Sequence, residues 1–139
     1  MKTIAAGILW ALLYNLIWGI AWFAFMKRDW TEAMAEVGRP IPWTQEVWLI
    51  WLALTVPLGI ATMAHVAYRR RSASLTVAVL QASGVIALLL GAGMIGWGLS
   101  ESLPMHVFLA DTAVNVVGVV VAAYLTASLV ESRNARFSS

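Results

Sequence analysis

Polar positions along this chain fall into a few short groups, and the stretches between them are almost wholly apolar. Apolar runs extend near residues 4 to 26, 46 to 68, 75 to 98 and 105 to 130. Each exceeds the roughly 18 residues that a helix needs to cross a hydrocarbon core of about 30 Å. An open sheet would leave backbone groups unpaired in lipid, so the pattern predicts an all-α fold, a polytopic membrane four-helix bundle. The connections are Lys27 to Gln45, Arg69 to Ser74 and Leu99 to Pro104, and the last two are short enough to set neighbouring helices antiparallel. Nothing is left over for a separate soluble unit, so residues 1–139 read as one transmembrane domain. The first run also has the positive start and apolar body of a secretory leader. It is too long for one, however, and carries Trp18, Trp22 and Phe23 where small residues would mark a cleavage site, so it is expected to stay as a span.

Composition supports lipid as the main solvent. Sixty-one per cent of the residues are hydrophobic and 12% charged, with a mean hydropathy of +0.81, whereas soluble domains carry about twice that share of charge. Cysteine is absent, which removes disulfides, thiolate nucleophiles and cysteine-held metals. The net charge of +2 does not point to nucleic acid, because the basic residues flank apolar runs, where they act as topology signals. Lys2, Arg69, Arg70, Arg71, Arg133 and Arg136 share one side, against Lys27, Arg28 and Arg39 on the other. That asymmetry predicts a multi-pass protein of a bacterial inner (cytoplasmic) membrane with both termini cytoplasmic.

The long first connection holds a helix signal. Asp29 and Glu32 have capping-box spacing, Trp30, Met34 and Val37 share a face, and Gly38 followed by Pro40 and Pro42 stops the helix. A short amphipathic helix lying on the outer membrane surface is expected there. Trp22, Trp30, Trp43, Trp48, Trp51 and Trp97 all fall near the same boundary and read as an interfacial aromatic belt, with a Trp-lined pocket as the sharper alternative.

Inside the spans, polar and small residues recur on single helix faces. Asp111, Asn115, Gly118 and Ala122 follow one another at helical spacing in the fourth run; Ala11, Asn15 and Gly19 do so in the first. Thr55, Gly59 and Thr62 flank a break expected at Pro57, and the third run offers Gln81, Ser83, Gly84, Ala87, Gly91 and Ala92. Small residues let helices approach closely, so Gly19, Gly59, Gly84, Gly91 and Gly118 are expected at the packing seams. An ionisable group costs at least about 2.5 kcal/mol at the centre of a span. Asp111, Asn115 and Asn15 are therefore expected to meet in one buried polar cluster, either as packing glue or as a proton or cation site.

His65 and His106 fall near opposite ends of the bundle and cannot share a metal or haem within one chain. His65, with Ala61 one turn before it, could hold a flat macrocycle as a single axial ligand, although an interfacial role accounts for it with nothing added. Arg69-Arg70-Arg71 reads as a stop signal with anionic lipid contact as an addition. There is no phosphate loop, nucleophilic triad, metalloprotease motif or catalytic carboxylate pair, so no enzyme activity and no cofactor are expected.

Asn15-x-x-x-Gly19-x-x-Trp22-Phe23 followed by Lys27-Arg28-Asp29-Trp30, together with Phe108-Leu109-Ala110-Asp111, resembles the bacterial membrane family known as domain of unknown function 1761. The likeness covers the first 30 residues and the last 35 or so, and Phe23 stands where that family more often has Tyr. It implies a four-helix membrane protein and marks Asn15, Gly19, Trp22 and Asp111; it implies no activity. Small multidrug transporters are of similar size but use a membrane-embedded Glu in the first helix, where this chain has Asn15. The expectation is an accessory or assembly subunit of a membrane complex, or a homo-oligomer, with other membrane helices or itself as partner. The rival is a small transporter or channel in which two copies enclose Asp111 and Asn115, and a weaker rival is a lipid, pigment or haem carrier.

Overall fold

The computed structural model describes residues 2–38, 45–100 and 102–136, with the side chains of 45, 47, 48 and 133–136 excepted. Its elements are α1 (Lys2–Ala21), a π-helical turn (Trp22–Met26), α2 (Lys27–Glu36), α3 (Gln45–Arg69), α4 (Leu75–Ser100) and α5 (Met105–Arg136). Four helices are long and apolar enough to cross a membrane: Lys2–Glu36, Leu49–Arg69, Leu75–Ser100 and Met105–Ser132. The chain is therefore an all-helical, multi-pass membrane protein, with span boundaries within a few residues of those expected except in the first.

The first span does not end at Met26. Lys27 donates its backbone N–H to the Trp22 carbonyl across the π turn, and the helix runs on to Glu36. The separate surface helix expected in the first connection is thus the continuation of α1, and its capping box does not form. Asp29 meets Arg28 at 3.3 Å instead, and Thr31 bonds back to the Lys27 carbonyl at 2.7 Å. Gly38 closes the helix at φ 73°, the left-handed conformation that glycine adopts without strain. Pro40, Pro42 and Trp43 lie outside the described residues.

α3 likewise continues through Pro57, where a break was expected. Pro57 has no N–H for the Ala53 carbonyl one turn earlier, so the helix runs on with one ladder bond missing, which spanning helices tolerate. Thr55 and Thr62 bond back to the Leu52 and Leu58 carbonyls, each at 2.8 Å, elsewhere on the same helix.

α1 packs between α3 and α5, and α4 packs between the same two helices from the other side. The α1–α3 crossing is glycine on glycine: a Cβ at Gly59 would collide with the Gly7 carbonyl and lie 2.8 Å from the Trp10 ring. At the α4–α5 crossing a Cβ on Gly98 would sit 2.5 Å from the Phe108 ring, while Gly91 makes ordinary contact with Thr112 and Val116. Gly118 faces Tyr14 and Ile17 on α1. Gly19 and Gly84, also expected at seams, have nothing within 4 Å of an added Cβ.

Two buried clusters stack along the bundle. One joins Trp10, Tyr14, Met63, Val66, Val79 and Val119 with a set of alanines; the other joins Trp18, Trp22, Met26, Trp30, Leu103 and Phe108. The second cluster shows why α2 stays with the bundle. Its apolar residues Trp30, Ala33 and Met34 are buried with Leu103, Val107 and Phe108 of the α4–α5 turn and α5, and Trp30 stacks on Trp97 at 5.3 Å. Trp22 and Trp30 are therefore core residues rather than part of an exposed belt, whereas Trp51 and Trp97 are exposed. The side chain of Trp48 lies outside the described residues.

Candidate functional site

On α1 every fourth residue from Trp10 onwards is aromatic: Trp10, Tyr14, Trp18 and Trp22. All four are buried, and they stack in pairs, Trp10 on Tyr14 at 5.1 Å and Trp18 on Trp22 at 5.2 Å. On α5 the residues Val119, Asn115, Asp111 and Val107 recur at the same interval in the opposite direction and are equally buried. Two antiparallel helices with matching four-residue ridges interlock along their length.

Three rungs of this interlock are hydrogen bonds. Trp10 Nε1 donates to the Val119 carbonyl at 3.3 Å. The Tyr14 hydroxyl donates to Asn115 Oδ1. Trp18 Nε1 donates to Asp111 Oδ1 at 2.9 Å. Asn115 links the last two rungs, since its Nδ2 donates to Asp111 Oδ1 at 2.9 Å and to the Asp111 backbone carbonyl at 2.8 Å. Two lines of donors thus converge on the Asp111 carboxyl, Trp18 directly and Tyr14 by way of Asn115.

Asp111 is 5% exposed. The ion pairs among the described residues, Arg28–Asp29 and Arg70–Glu131, lie towards the helix ends and do not reach it. Its burial is offset by two neutral N–H donors, both of which meet Oδ1.

Asn15 departs from the expected cluster. Its Nδ2 donates to the Ala11 carbonyl at 2.7 Å and to Thr55 Oγ1 at 2.8 Å, so it serves the α1–α3 contact. Asn15 follows Tyr14 by one residue, about 100° around the helix, and this turns it to α3 while Tyr14 faces α5. The expected trio is thus two separate polar contacts, with Asp111 and Asn115 together and Asn15 apart.

His65 and Ala61 are exposed on α3, and His106 is exposed at the start of α5. No group of three or more His, Cys, Asp or Glu side chains arranged to hold a metal occurs among the described residues. Chemically, the site can order helices and can present one carboxyl oxygen inside the span.

Trp10, Tyr14 and Trp18 are the residues that sequence reasoning passed over. The available signal was the common interval, four residues between the aromatics of the first span and four between Asp111 and Asn115 in the last. No protein family, curated protein or solved structure matches this chain.

Proposed function

We propose that this protein is a non-catalytic accessory or assembly subunit of a membrane complex, or a homo-oligomer, that acts by lateral contact of its helices within the bilayer. The observation that carries this reading is the outward face of α4. Ala92, Gly93 and Gly96 are exposed there, and a Cβ on either glycine would meet nothing within 4 Å. Glycines without a close neighbour in their own chain allow another helix to approach closely, the contact on which helix association in lipid depends. The interior supports the same reading, because Asn15 bonds to Thr55 and Asp111 Oδ1 is taken up by Trp18 and Asn115, all within one chain.

Both termini are cytoplasmic in this reading, in a bacterial inner membrane, on the strength of the Lys and Arg asymmetry. Likeness to the four-helix family named above belongs to the same proposal. The partners are other membrane helices or a second copy, not nucleic acid.

The cysteine-free sequence gives a clean test. Single Gly93→Cys and Gly96→Cys variants, cross-linked in native membranes, should yield adducts with a second protein or a second copy. The exposed Leu12→Cys and Leu129→Cys controls should not. Equal adducts at all four positions, or none at α4, would reject the proposal.

One observation favours a second reading, a small transporter or channel. Among the described residues both side-chain donors to Asp111 meet Oδ1, and Oδ2 is the atom that would take a proton or cation. Since Asp111 and Asn115 are enclosed by α1 of their own chain, such a path would run through one bundle rather than between two copies. It requires flux in liposomes that Asp111→Asn abolishes.

A further inference from the structure

Six of the nine basic residues belong to the end of the bundle where α1 begins and α3 and α5 finish, against one acidic residue there, Glu131. Arg69 and Arg70 stand where α3 passes into its turn, and the Nε of each is tied to a different helix. Arg70 donates to Glu131 Oε1 of α5 at 2.6 Å, and its Nη1 donates to the Ala73 carbonyl at 3.0 Å. Arg69 donates to Gln81 Oε1 of α4 at 2.6 Å.

The two arginines therefore differ electrostatically. Arg70 is neutralised by a carboxylate, while Arg69 meets a neutral amide and keeps its full charge. Arg71 follows it and is exposed. Gln81 lies within the apolar α4 span, so Arg69 is drawn from the end of α3 towards the lipid-facing flank of α4, where Val77 and Leu80 are exposed. A guanidinium fixed at Nε keeps both terminal nitrogens for an anion and loses little further freedom on binding one.

We propose that Arg69 and Arg71 form a docking site for the phosphate headgroup of an anionic phospholipid, whose acyl chains lie along the exposed flank of α4 beside Val77 and Leu80. Charge complementarity selects an anion, and continuity with an apolar helix flank selects a lipid over a soluble one. Each basic residue at a membrane surface strengthens attraction to anionic lipid by about fivefold.

The test uses the full chain reconstituted in vesicles of phosphatidylcholine and phosphatidylglycerol in equal amounts, extracted gently, with retained lipid read by native mass spectrometry. The wild type should retain phosphatidylglycerol in preference. Arg71→Gln, which breaks no bond of the fold, should reduce that preference about fivefold, and Arg69→Gln with Arg71→Gln about 30-fold. Lys27→Gln at the other end should leave it unchanged. Equal retention of the two lipids by the wild type, an undiminished preference in the double variant, or loss of the lipid to added inorganic phosphate would each overturn the proposal.

Discussion

Trp18 carries the side-chain bond between α1 and the Asp111 carboxyl, and Tyr14 carries the next bond along. Interhelical hydrogen bonds in membranes average about 0.6 kcal/mol and reach about 1.7. Trp18→Phe and Tyr14→Phe should each lower stability within that range, measured by unfolding in detergent. Asp111→Ala should cost more, about 1 to 3 kcal/mol, because it leaves two buried donors without their acceptor. If Asp111 is an acceptor in the packing, Asp111→Asn, which retains a side-chain oxygen, should fall well below Asp111→Ala; equal losses would show that the charge rather than the bond matters. The sequence exposed Asp111 and Asn115 through their cost in lipid. It hid Tyr14 and Trp18 because an aromatic in an apolar run carries no sign of whether it faces lipid or protein. The same blindness explains Trp22 and Trp30, which are buried although their position suits a belt.

Helix boundaries were legible wherever charge or glycine interrupts the apolar pattern, as at Arg69, Ser74 and Gly38. The junction of α1 and α2 was not, for a geometric reason. Buried residues recur every four positions from Trp10 through Trp22 and Met26 to Trp30 and Met34. On a helix of 3.6 residues per turn such a stripe drifts by about 40° each step. The wider π turn at Trp22–Met26 takes up an extra residue and returns Trp30 and Met34 towards the same face. Deleting Ala24, which is exposed within that turn, should convert it to α-helix and rotate α2 by about 100°. Trp30 should then leave its stack with Trp97, and the expected readout is a red-shifted, more quenchable tryptophan emission; an unchanged spectrum would contradict this account. At the glycine crossing, Gly59→Ala meets backbone on α1 and should destabilise by about 1 to 3 kcal/mol or more, whereas Gly19→Ala and Gly84→Ala meet nothing and should leave stability unchanged or slightly raised.

At the scale of the whole molecule, thirty-five continuous residues from Lys2 to Glu36 make a helix about 50 Å long against a hydrocarbon core of about 30 Å. That length leaves room for the charged residues of α2 beyond a hydrocarbon core, while the buried face of α2 covers the α4–α5 turn. The bundle holds Tyr14, Asn15, Asp111 and Asn115 between its own helices and leaves a glycine-bearing face of α4 exposed. The open flank is where the proposed assembly with other helices would take place. The most direct test is native mass spectrometry of the protein extracted gently from its own membranes. The account predicts a particle heavier than the 15.1 kDa chain and its lipids, containing other membrane proteins or further copies, that falls apart when Gly93 and Gly96 are replaced by leucine. A single chain with lipid alone, unaffected by those substitutions, would contradict it.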